Sequence, residues 1–272
     1  MKLSPPGPPS ALLLALEGAR AALEWGALGL SWPWLGSAAR GDGHPVLVLP
    51  GLIANDSTTW PLRRFLERQN FAVHPWGMGF NLGPRGDLLE RLLRRMDALV
   101  AHAGSRISLV GWSLGGAIAR VLATQRPELV RNVVTLGSPH HGDPRASNAW
   151  RVFEIASGYS VDDPELKRLF RVQPAVPMTS FLSRSDGVVH WQTSLLPDSP
   201  LTENIEVLAS HLGMGANPAV LWALADRLAQ PEGRWRPLDR DGWKLMFYGK
   251  PRRQAEPGAA APERRSHASL PA

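Results

Sequence analysis

ISLVGWSLGG, residues 107–116, is the stretch of the chain that decides the fold. Its first half is a short apolar run typical of a buried strand, and its second half opens a helical pattern. Between the two halves lies Gly-x-Ser-x-Gly, with Ser113 at its centre. A serine hydroxyl is a poor nucleophile, and a tight strand-to-helix turn with flanking glycines exposes it beside a base. The stretch therefore predicts a strand, a sharp turn with a candidate nucleophile, and a helix.

Similar apolar runs recur on both sides of this stretch. The predicted strands lie at 45–50, 71–76, 107–111, 132–136, 178–183 and 204–209. Helical patterns separate them; one is opened by Pro61, and the last is capped by Asn217. Strands that alternate with helices from residue 44 to about 230 indicate βαβ units. We therefore expect an α/β fold with a mostly parallel central sheet flanked by helices.

Three segments fall outside this alternation. Residues 1–43 predict an amphipathic helix, beginning near Ser10, that packs on the domain or touches a membrane surface. Within a domain at 44–250, residues 139–175 show no obvious single helix and predict a small cap over a pocket. Residues 251–272 are rich in Pro, Ala and Arg and predict a disordered tail.

The composition indicates a soluble globular protein. Of 272 residues, 44% are hydrophobic and 20% are charged, which suffices to bury a core and enclose a pocket. There is no cysteine, which excludes disulfides, thiolate metal sites and cysteine nucleophiles.

The formal net charge is +6, but no basic stripe is interleaved with aromatic residues, so no nucleic-acid partner is expected. The apolar run at 11–16 is too short to span a membrane. A cytoplasmic location is favoured, and a signal peptide stays open as an alternative.

An acid and a base that activate Ser113 should follow it in the order acid, then histidine. Asp186 follows the predicted strand at 178–183, and His211 follows the strand at 204–209. In an open parallel sheet the carboxyl ends of the strands share one edge, where ligands bind. The sequence therefore predicts that Ser113, Asp186 and His211 converge as a catalytic triad.

Other residues compete for the same roles. Asp162, Asp163 and Asp198 are alternative acids, although none directly follows a predicted strand. His190, four residues beyond Asp186, is the main alternative base.

Acyl transfer also needs donors for the negative oxygen that forms during attack. The backbone N–H of Leu114, directly after the nucleophile, is one expected donor. The second should come from the loop after an early strand, residues 50–53, where the N–H of Leu52 is favoured and that of Ile53 is the reserve.

Neither a metal nor an organic cofactor is predicted. His140 and His141 are a candidate metal pair by residue type, but adjacent side chains point in different directions and no carboxylate cluster completes a site. A role in the loop that contains them is the favoured interpretation.

Five segments resemble α/β-hydrolase-fold lipases and esterases, over residues 44–230. They are LVLPGL (47–52), GWSLGG (111–116), TLGSPHHG (135–142), SDGVV (185–189) and SHLGMGANP (210–218). The chain departs from the lipase pattern at Pro50 and at Trp112, two positions where histidine is common in that family. The resemblance implies a serine hydrolase that cleaves a carboxylic ester through an acyl-enzyme intermediate.

Two alternatives to ester hydrolysis stay open. The same residues suit an acyltransferase that passes the acyl group to an alcohol or thiol, and the fold also suits a binding module with a vestigial triad. The intact triad residues, with both Gly115 and Gly116, argue against the binding module. The expected partner is a small-molecule or lipid ester, and the sequence leaves acyl length and oligomeric state undetermined.

Overall fold

Six parallel strands form one sheet in residues 6–249, the part of the chain that the computed structural model describes. The strands are β1 (Pro45–Leu49), β2 (Ala72–Pro75), β3 (Ile107–Trp112), β4 (Val130–Leu136), β5 (Met178–Leu182) and β6 (Thr202–Glu206). Their spatial order is β2-β1-β3-β4-β5-β6, and every neighbouring pair is parallel. The α/β class and the parallel sheet predicted from the sequence are confirmed. The tail predicted at 251–272 lies outside the described residues.

Seven α-helices accompany the sheet within the same described range. They are α1 (Ala11–Leu35), α2 (Trp60–Arg68), α3 (Leu88–Ala103), α4 (Leu114–Gln125), α5 (Trp150–Ser157), α6 (Pro164–Phe170) and α7 (Pro218–Leu228). Asn217 caps α7 as predicted, because its Oδ1 accepts hydrogen bonds from the N–H groups of Ala219 and Val220 at 3.0 and 3.3 Å.

The sheet separates two apolar cores. Alternate residues along a strand point to opposite faces. Val46 and Val48 belong to the core that includes residues of α1, α2 and α7, whereas Leu47 and Leu49 belong to the core formed with α3 and α4. Fully burying a side chain of this size stabilises the fold by about 1.5–3 kcal/mol. Both faces of the sheet are therefore covered, as a parallel sheet requires.

Helix α1 begins where the sequence predicts, and its buried side includes polar as well as apolar residues. Ser10 caps it, with its Oγ accepting a hydrogen bond from the N–H of Leu13 at 3.3 Å. The side chain of Glu17 is only 2% exposed, whereas Leu23 and Leu30 are 73% and 87% exposed. Helix α1 therefore packs against α7 and docks partly through polar hydrogen bonds. None of the described helices combines the length and apolar character needed to cross a bilayer.

Residues 139–175 connect β4 to β5 and contain the two short helices α5 and α6. Helix α5 ends at Gly158, whose φ of 74° lies in the left-handed region that favours glycine. Asp163 caps α6 by accepting hydrogen bonds from the N–H groups of Glu165 and Leu166 at 2.8 and 3.1 Å. Helix α6 packs against α4, the helix that begins directly after Ser113.

Candidate active site

Ser113 occupies a strained turn between β3 and α4. Its φ of 53° and ψ of −121° lie in a region that residues other than glycine rarely adopt. Two backbone hydrogen bonds hold the turn: Ser113 N–H donates to the carbonyl of Leu136 at 2.8 Å, and Gly116 N–H donates to the carbonyl of Ser113 at 3.0 Å. The strand, turn and helix predicted from ISLVGWSLGG are therefore present.

The glycines of the motif allow β3, α4 and the loop after β1 to meet closely. A Cβ atom added to Gly111 would overlap the backbone of Gly116. A Cβ atom added to Gly115 would overlap the carbonyl oxygen of Leu49, at the end of β1. Any larger residue at these two positions would push the backbone apart and displace the turn that presents Ser113.

Asp186 and His211 form a buried hydrogen-bonded pair. Asp186 Oδ2 lies 2.7 Å from His211 Nδ1. The other carboxylate oxygen, Oδ1, accepts hydrogen bonds from the N–H groups of Val188 and Val189 at 2.8 and 2.7 Å. Since three donors converge on it, the carboxylate is fixed in orientation. The Asp186 side chain therefore holds the imidazole ring through Nδ1.

Burial and charge act in opposite directions on His211. Burial lowers the pKa of the imidazole, whereas the charge and hydrogen bond of Asp186 and the charge of Glu17 raise it, and the net result is a pKa above the usual 6.5. At His190 the balance is reversed, because burial outweighs the charge of Asp186 and lowers its pKa. His190 Nδ1 accepts a hydrogen bond from the N–H of Gln192 at 3.4 Å and caps a short 3-10 turn. The two candidate bases thus differ in partner and in pKa direction.

The turn at Ser113 and the Asp186–His211 pair meet at the carboxyl edge of the sheet. Trp112 Nε1 donates to the carbonyl of His211 at 3.0 Å. A Cβ atom added to Gly137, at the end of β4, would lie 3.0 Å from Asp186 Oδ2 and 3.1 Å from His211 Nδ1. Among residues 6–249, the hydroxyl of Ser113 has no hydrogen-bond partner. Catalytic hydrogen bonds often form only when the substrate is bound.

Two backbone N–H groups near Ser113 are unoccupied. Within the described range, the N–H groups of Leu52 and Leu114 donate to no acceptor. The N–H of Ile53 is already used, because it donates to the carbonyl of Asn81 at 2.7 Å. The N–H groups of Leu52 and Leu114, the two preferred donors, are therefore free. The N–H of Ile53, the alternative donor, is already hydrogen-bonded.

A cavity of about 160 Å³ lies against Ser113 and extends beneath α5 and α6. Ser113, Leu52 and Leu114 contribute to its wall, whereas Asp186 and His211 do not. The wall on the side of the insert is mostly apolar and includes Trp150, Phe153, Val161, Leu166 and Phe170. The candidate nucleophile and the two residues with free N–H groups thus line one mostly apolar space, together with residues of the segment 139–175.

The chain is similar to known proteins over part of its length. The model of a family described as alpha/beta hydrolase fold matches residues 44–163. Residues 44–163 are therefore similar to that family, and the parallel sheet flanked by helices is the α/β-hydrolase fold. Among solved structures, Aspergillus fumigatus lipase B superposes with a TM-score of 0.54 at 17% identity, covering 73% of this chain and 55% of that one.

Two curated relatives of this chain are named as hydrolases. A mouse serine hydrolase, BPHL, is 30% identical over 108 residues, which are 36% of this chain and 37% of the relative. A triacylglycerol lipase of Pseudarthrobacter phenanthrenivorans is 37% identical over 108 residues, covering 36% and 34%. The matches therefore span little more than a third of the length of these relatives.

The family match covers only part of the candidate site. It includes β1 to β4, and with them Leu52 and Ser113, but it ends at residue 163, before Asp186 and His211. The assignment of the candidate acid and base therefore depends on the geometry of Asp186 and His211.

Asn81 is a site residue that sequence reasoning missed. Its buried side chain donates through Nδ2 to the carbonyl of Pro50 at 2.8 Å. Its backbone accepts from Ile53 at 2.7 Å and donates to the carbonyl of Ala54 at 2.8 Å. Three hydrogen bonds thus fix the loop that carries the N–H of Leu52. A single asparagine between two loops gives no periodic signal in the sequence.

A second Ser–His–Asp chain lies at the amino edge of the sheet. His44 Nδ1 is 2.5 Å from Asp42 Oδ1, and His44 Nε2 is 2.9 Å from Ser108 Oγ. Ser108 is fully buried within β3 and does not line the cavity. Burial lowers the pKa of His44 despite the opposing hydrogen bond from Asp42. This cluster therefore satisfies buried polar groups, and a substrate has no access to its serine.

His140 also has a structural environment. It is buried, and its ring nitrogens lie 3.1 Å from Arg120 Nη1, 3.0 Å from Thr135 Oγ1 and 3.3 Å from Ser180 Oγ. Burial and the charge of Arg120 hold the pKa of His140 well below its usual value. Residues 6–249 contain no group of three or more His, Cys, Asp or Glu side chains that suits a metal ion. The neutral ring of His140 joins β4, β5 and α4.

Proposed function

We propose that this α/β-hydrolase cleaves carboxylic esters, with Ser113 as the nucleophile, His211 as the general base and Asp186 as the acid that orients His211. The observation that supports the proposal most is the 2.7 Å contact between Asp186 and His211 at the same edge as the strained turn of Ser113. The order serine, acid, histidine along the chain is that of α/β-hydrolases.

In the first half of the reaction, Ser113 Oγ attacks the ester carbonyl while His211 Nε2 takes the hydroxyl proton. Asp186 holds Nδ1–H of the ring, which fixes the tautomer and stabilises the imidazolium. The carbonyl carbon becomes tetrahedral, and its oxygen becomes negative. When the C–O bond to the alcohol breaks, His211 returns its proton to the leaving oxygen, and an acyl-enzyme ester remains on Ser113.

In the second half, water replaces the alcohol and the steps reverse. His211 takes a proton from water as the water oxygen attacks the acyl carbonyl. Collapse of the tetrahedral intermediate releases the carboxylic acid, and Ser113 Oγ regains the proton from His211. In both halves the N–H groups of Leu52 and Leu114 donate to the negative oxygen. Loss of one such donor typically costs about 100- to 1,000-fold in kcat.

The cavity supports an ester with an apolar acyl group as the substrate. Its wall beneath α5 and α6 is mostly hydrophobic and aromatic, which suits an alkyl or aryl chain. The relatives named above include a serine hydrolase and a triacylglycerol lipase, whose names are consistent with this substrate class. A small-molecule or lipid ester is therefore the proposed substrate.

The decisive experiment is covalent labelling with a fluorophosphonate probe. The parent protein should react at Ser113 and lose hydrolysis of p-nitrophenyl esters in proportion to labelling. Ser113→Ala should neither be labelled nor hydrolyse these esters. Ser108→Ala is the matched control, because Ser108 belongs to the buried Asp42–His44 cluster and should leave labelling unchanged. Absence of labelling in a folded parent protein would overturn the proposal. Adding alcohol acceptors to the ester assay separates hydrolysis from acyl transfer.

A further inference from the structure

Glu17 is a buried carboxylate that is distant from Asp186 and His211 in sequence and adjacent to their loops in space. Its Oε1 accepts a hydrogen bond from the N–H of Gly187 at 2.7 Å, and its Oε2 accepts one from the N–H of Leu212 at 2.9 Å. Gly187 directly follows Asp186, and Leu212 directly follows His211. One carboxylate on α1 therefore joins the two loops that carry the candidate acid and base.

Two neighbouring side chains on α1 bind the residues just before the acid and the base. Arg20 donates through Nη2 to the hydroxyl of Ser185 at 2.8 Å and through Nη1 to its carbonyl. Glu24 accepts hydrogen bonds from the N–H and the hydroxyl of Ser210, both at 2.7 Å. Residues three and four apart share one face of a helix, so these contacts form a continuous polar strip. The charge of Arg20 lies 3.7 Å from Glu17.

The two loops carry glycine where α1 passes them. A Cβ atom added to Gly187 would lie 2.5 Å from the carbonyl oxygen of Leu13. A Cβ atom added to Gly213 would overlap the carboxylate of Glu24. Both loops therefore match the helix in shape as well as in hydrogen bonding.

Docking of α1 alone does not require a buried carboxylate. Leu28 and Leu35 already anchor the helix in the apolar core. A buried carboxylate is costly unless its oxygens are hydrogen-bonded. At Glu17 the two oxygens meet two N–H donors from different loops, and the chain separates these donors from Glu17 by 170 and 195 residues. The Glu17 carboxylate therefore accepts one hydrogen bond from the loop of Asp186 and one from the loop of His211.

We propose that Glu17 is a positioning residue of the active site: it fixes the loops of Asp186 and His211 relative to each other, and its negative charge stabilises the imidazolium form of His211. This inference rests on the ester hydrolase function proposed above. Glu17 contacts the backbone next to the acid and the base and does not contact the reacting atoms.

The charges around His211 come from two elements. Asp186, after β5, contacts the ring directly, and Glu17, on α1, acts on it through space, both raising the pKa of His211 against the effect of burial. Arg20 and Glu24 are the other charged groups that α1 places on these loops. Removal of the Glu17 charge with Arg20 and Glu24 intact should therefore lower the pKa of His211.

Two substitutions separate the hydrogen bonds from the charge. Glu17→Gln has the same size, but its amide N–H₂ faces one of the two N–H donors, so one hydrogen bond and the charge are lost. Glu17→Asp keeps the charge, but its shorter side chain cannot reach both N–H groups. Both variants should lose about 10- to 100-fold in kcat, with little change in KM, because small displacements of catalytic groups have effects of that size. In Glu17→Gln the acid limb of the kcat/KM profile should also move to lower pH.

Glu203→Gln is the matched control. Glu203 is a buried carboxylate on β6 that accepts hydrogen bonds from the N–H of Leu238 at 3.0 Å and pairs with Arg227 and Arg240. Its substitution should lower the melting temperature while leaving kcat and the acid limb unchanged in assays well below melting. If Glu17→Gln lost activity only because the fold was destabilised, Glu203→Gln would lose activity to a similar extent.

Each outcome is decisive for Glu17. Parent-like kcat and an unshifted acid limb in Glu17→Gln would overturn the proposal, and so would a loss of kcat with no shift. If Glu17→Gln does not fold, parent-like kcat in Glu17→Asp would overturn the positioning role, and a 10- to 100-fold loss there would support it. Failure of the proposed function has a different result, because the parent protein itself would then show no hydrolysis that depends on Ser113.

Discussion

The indole of Trp112 is hydrogen-bonded to the carbonyl oxygen of His211 at 3.0 Å, although 99 residues separate them. Trp112 directly precedes the candidate nucleophile, so one residue connects the turn of Ser113 with the loop of the candidate base. A Cβ atom on Gly215 would lie 3.2 Å from the same indole ring, which shows how closely the loop after His211 packs on it. The relative position of base and nucleophile thus depends partly on this side chain.

Trp112→Phe should reduce kcat about tenfold with little effect on KM. Phenylalanine fills part of the same space but has no N–H, so the carbonyl of His211 loses its donor, at a cost of about 1–3 kcal/mol. Ester hydrolysis measured over a range of substrate concentrations checks this. Trp222→Phe is the control, because the indole N–H of Trp222 is buried without a partner in the described structure. Equal kcat in the two variants would contradict the role of Trp112.

The pH profile should distinguish the two candidate bases. Only neutral imidazole accepts a proton, so activity should rise with pH through the pKa of the base. The pKa of His211 is raised by Asp186 and Glu17 against burial, so the acid limb should lie above pH 6.5. The pKa of His190 is lowered by burial, so a limb below 6.5 would favour His190. His211→Gln should abolish hydrolysis, and His190→Gln should leave most of it.

Asn81→Ala should lower kcat by about tenfold or more. The substitution removes the hydrogen bond to the carbonyl of Pro50 and loosens the loop that carries the N–H of Leu52, a proposed donor to the negative oxygen. Steady-state kinetics with p-nitrophenyl esters measure the loss. Asn204→Ala is the matched control, since Asn204 is a mostly buried asparagine with two hydrogen bonds to Leu196 elsewhere in the sheet. A similar loss of kcat in both variants would show that stability, not the loop, is responsible.

Residues 139–175 should behave as a mobile cap. Helices α5 and α6 cover the cavity beside Ser113 and are short, so their amides should exchange with solvent faster than those of β3 and β4. A fluorophosphonate bound to Ser113 should slow exchange in α5 and α6. Hydrogen exchange with mass spectrometry measures both effects, with α4 as the internal reference. Protection equal to that of α4, unchanged by the inhibitor, would identify the segment as an ordinary crossover.

The strands were predictable because their signals are local. A buried parallel strand is a short apolar run, and the predicted run at 107–111 became β3, Ile107–Trp112. The candidate triad residues directly follow such runs, so the topology of a parallel sheet brings them to one edge. Asn217 was recognisable because a capping residue followed by proline is a specific sequence signal for the start of a helix.

The supporting residues were not predictable in the same way. Glu17 lies among apolar residues of a helix, where a lone charged residue usually faces solvent, and its burial follows from loops more than 160 residues away. Asn81 has no sequence feature that connects it with Pro50. The Asp42–His44–Ser108 cluster has the residue types of a triad, but its serine is fully buried and does not line the cavity.

Because of the polar face of α1, residues that lie before the first strand belong to the surroundings of the candidate site. The family match starts at residue 44, so a shortened protein that began there would retain all six strands, Ser113, Asp186 and His211. It would nevertheless lose the acceptors for the amides beside the acid and the base. Truncation, domain grafting or directed evolution should therefore keep the chain from Ser10 onward, because Glu17 and Glu24 accept hydrogen bonds from the loops that carry Asp186 and His211.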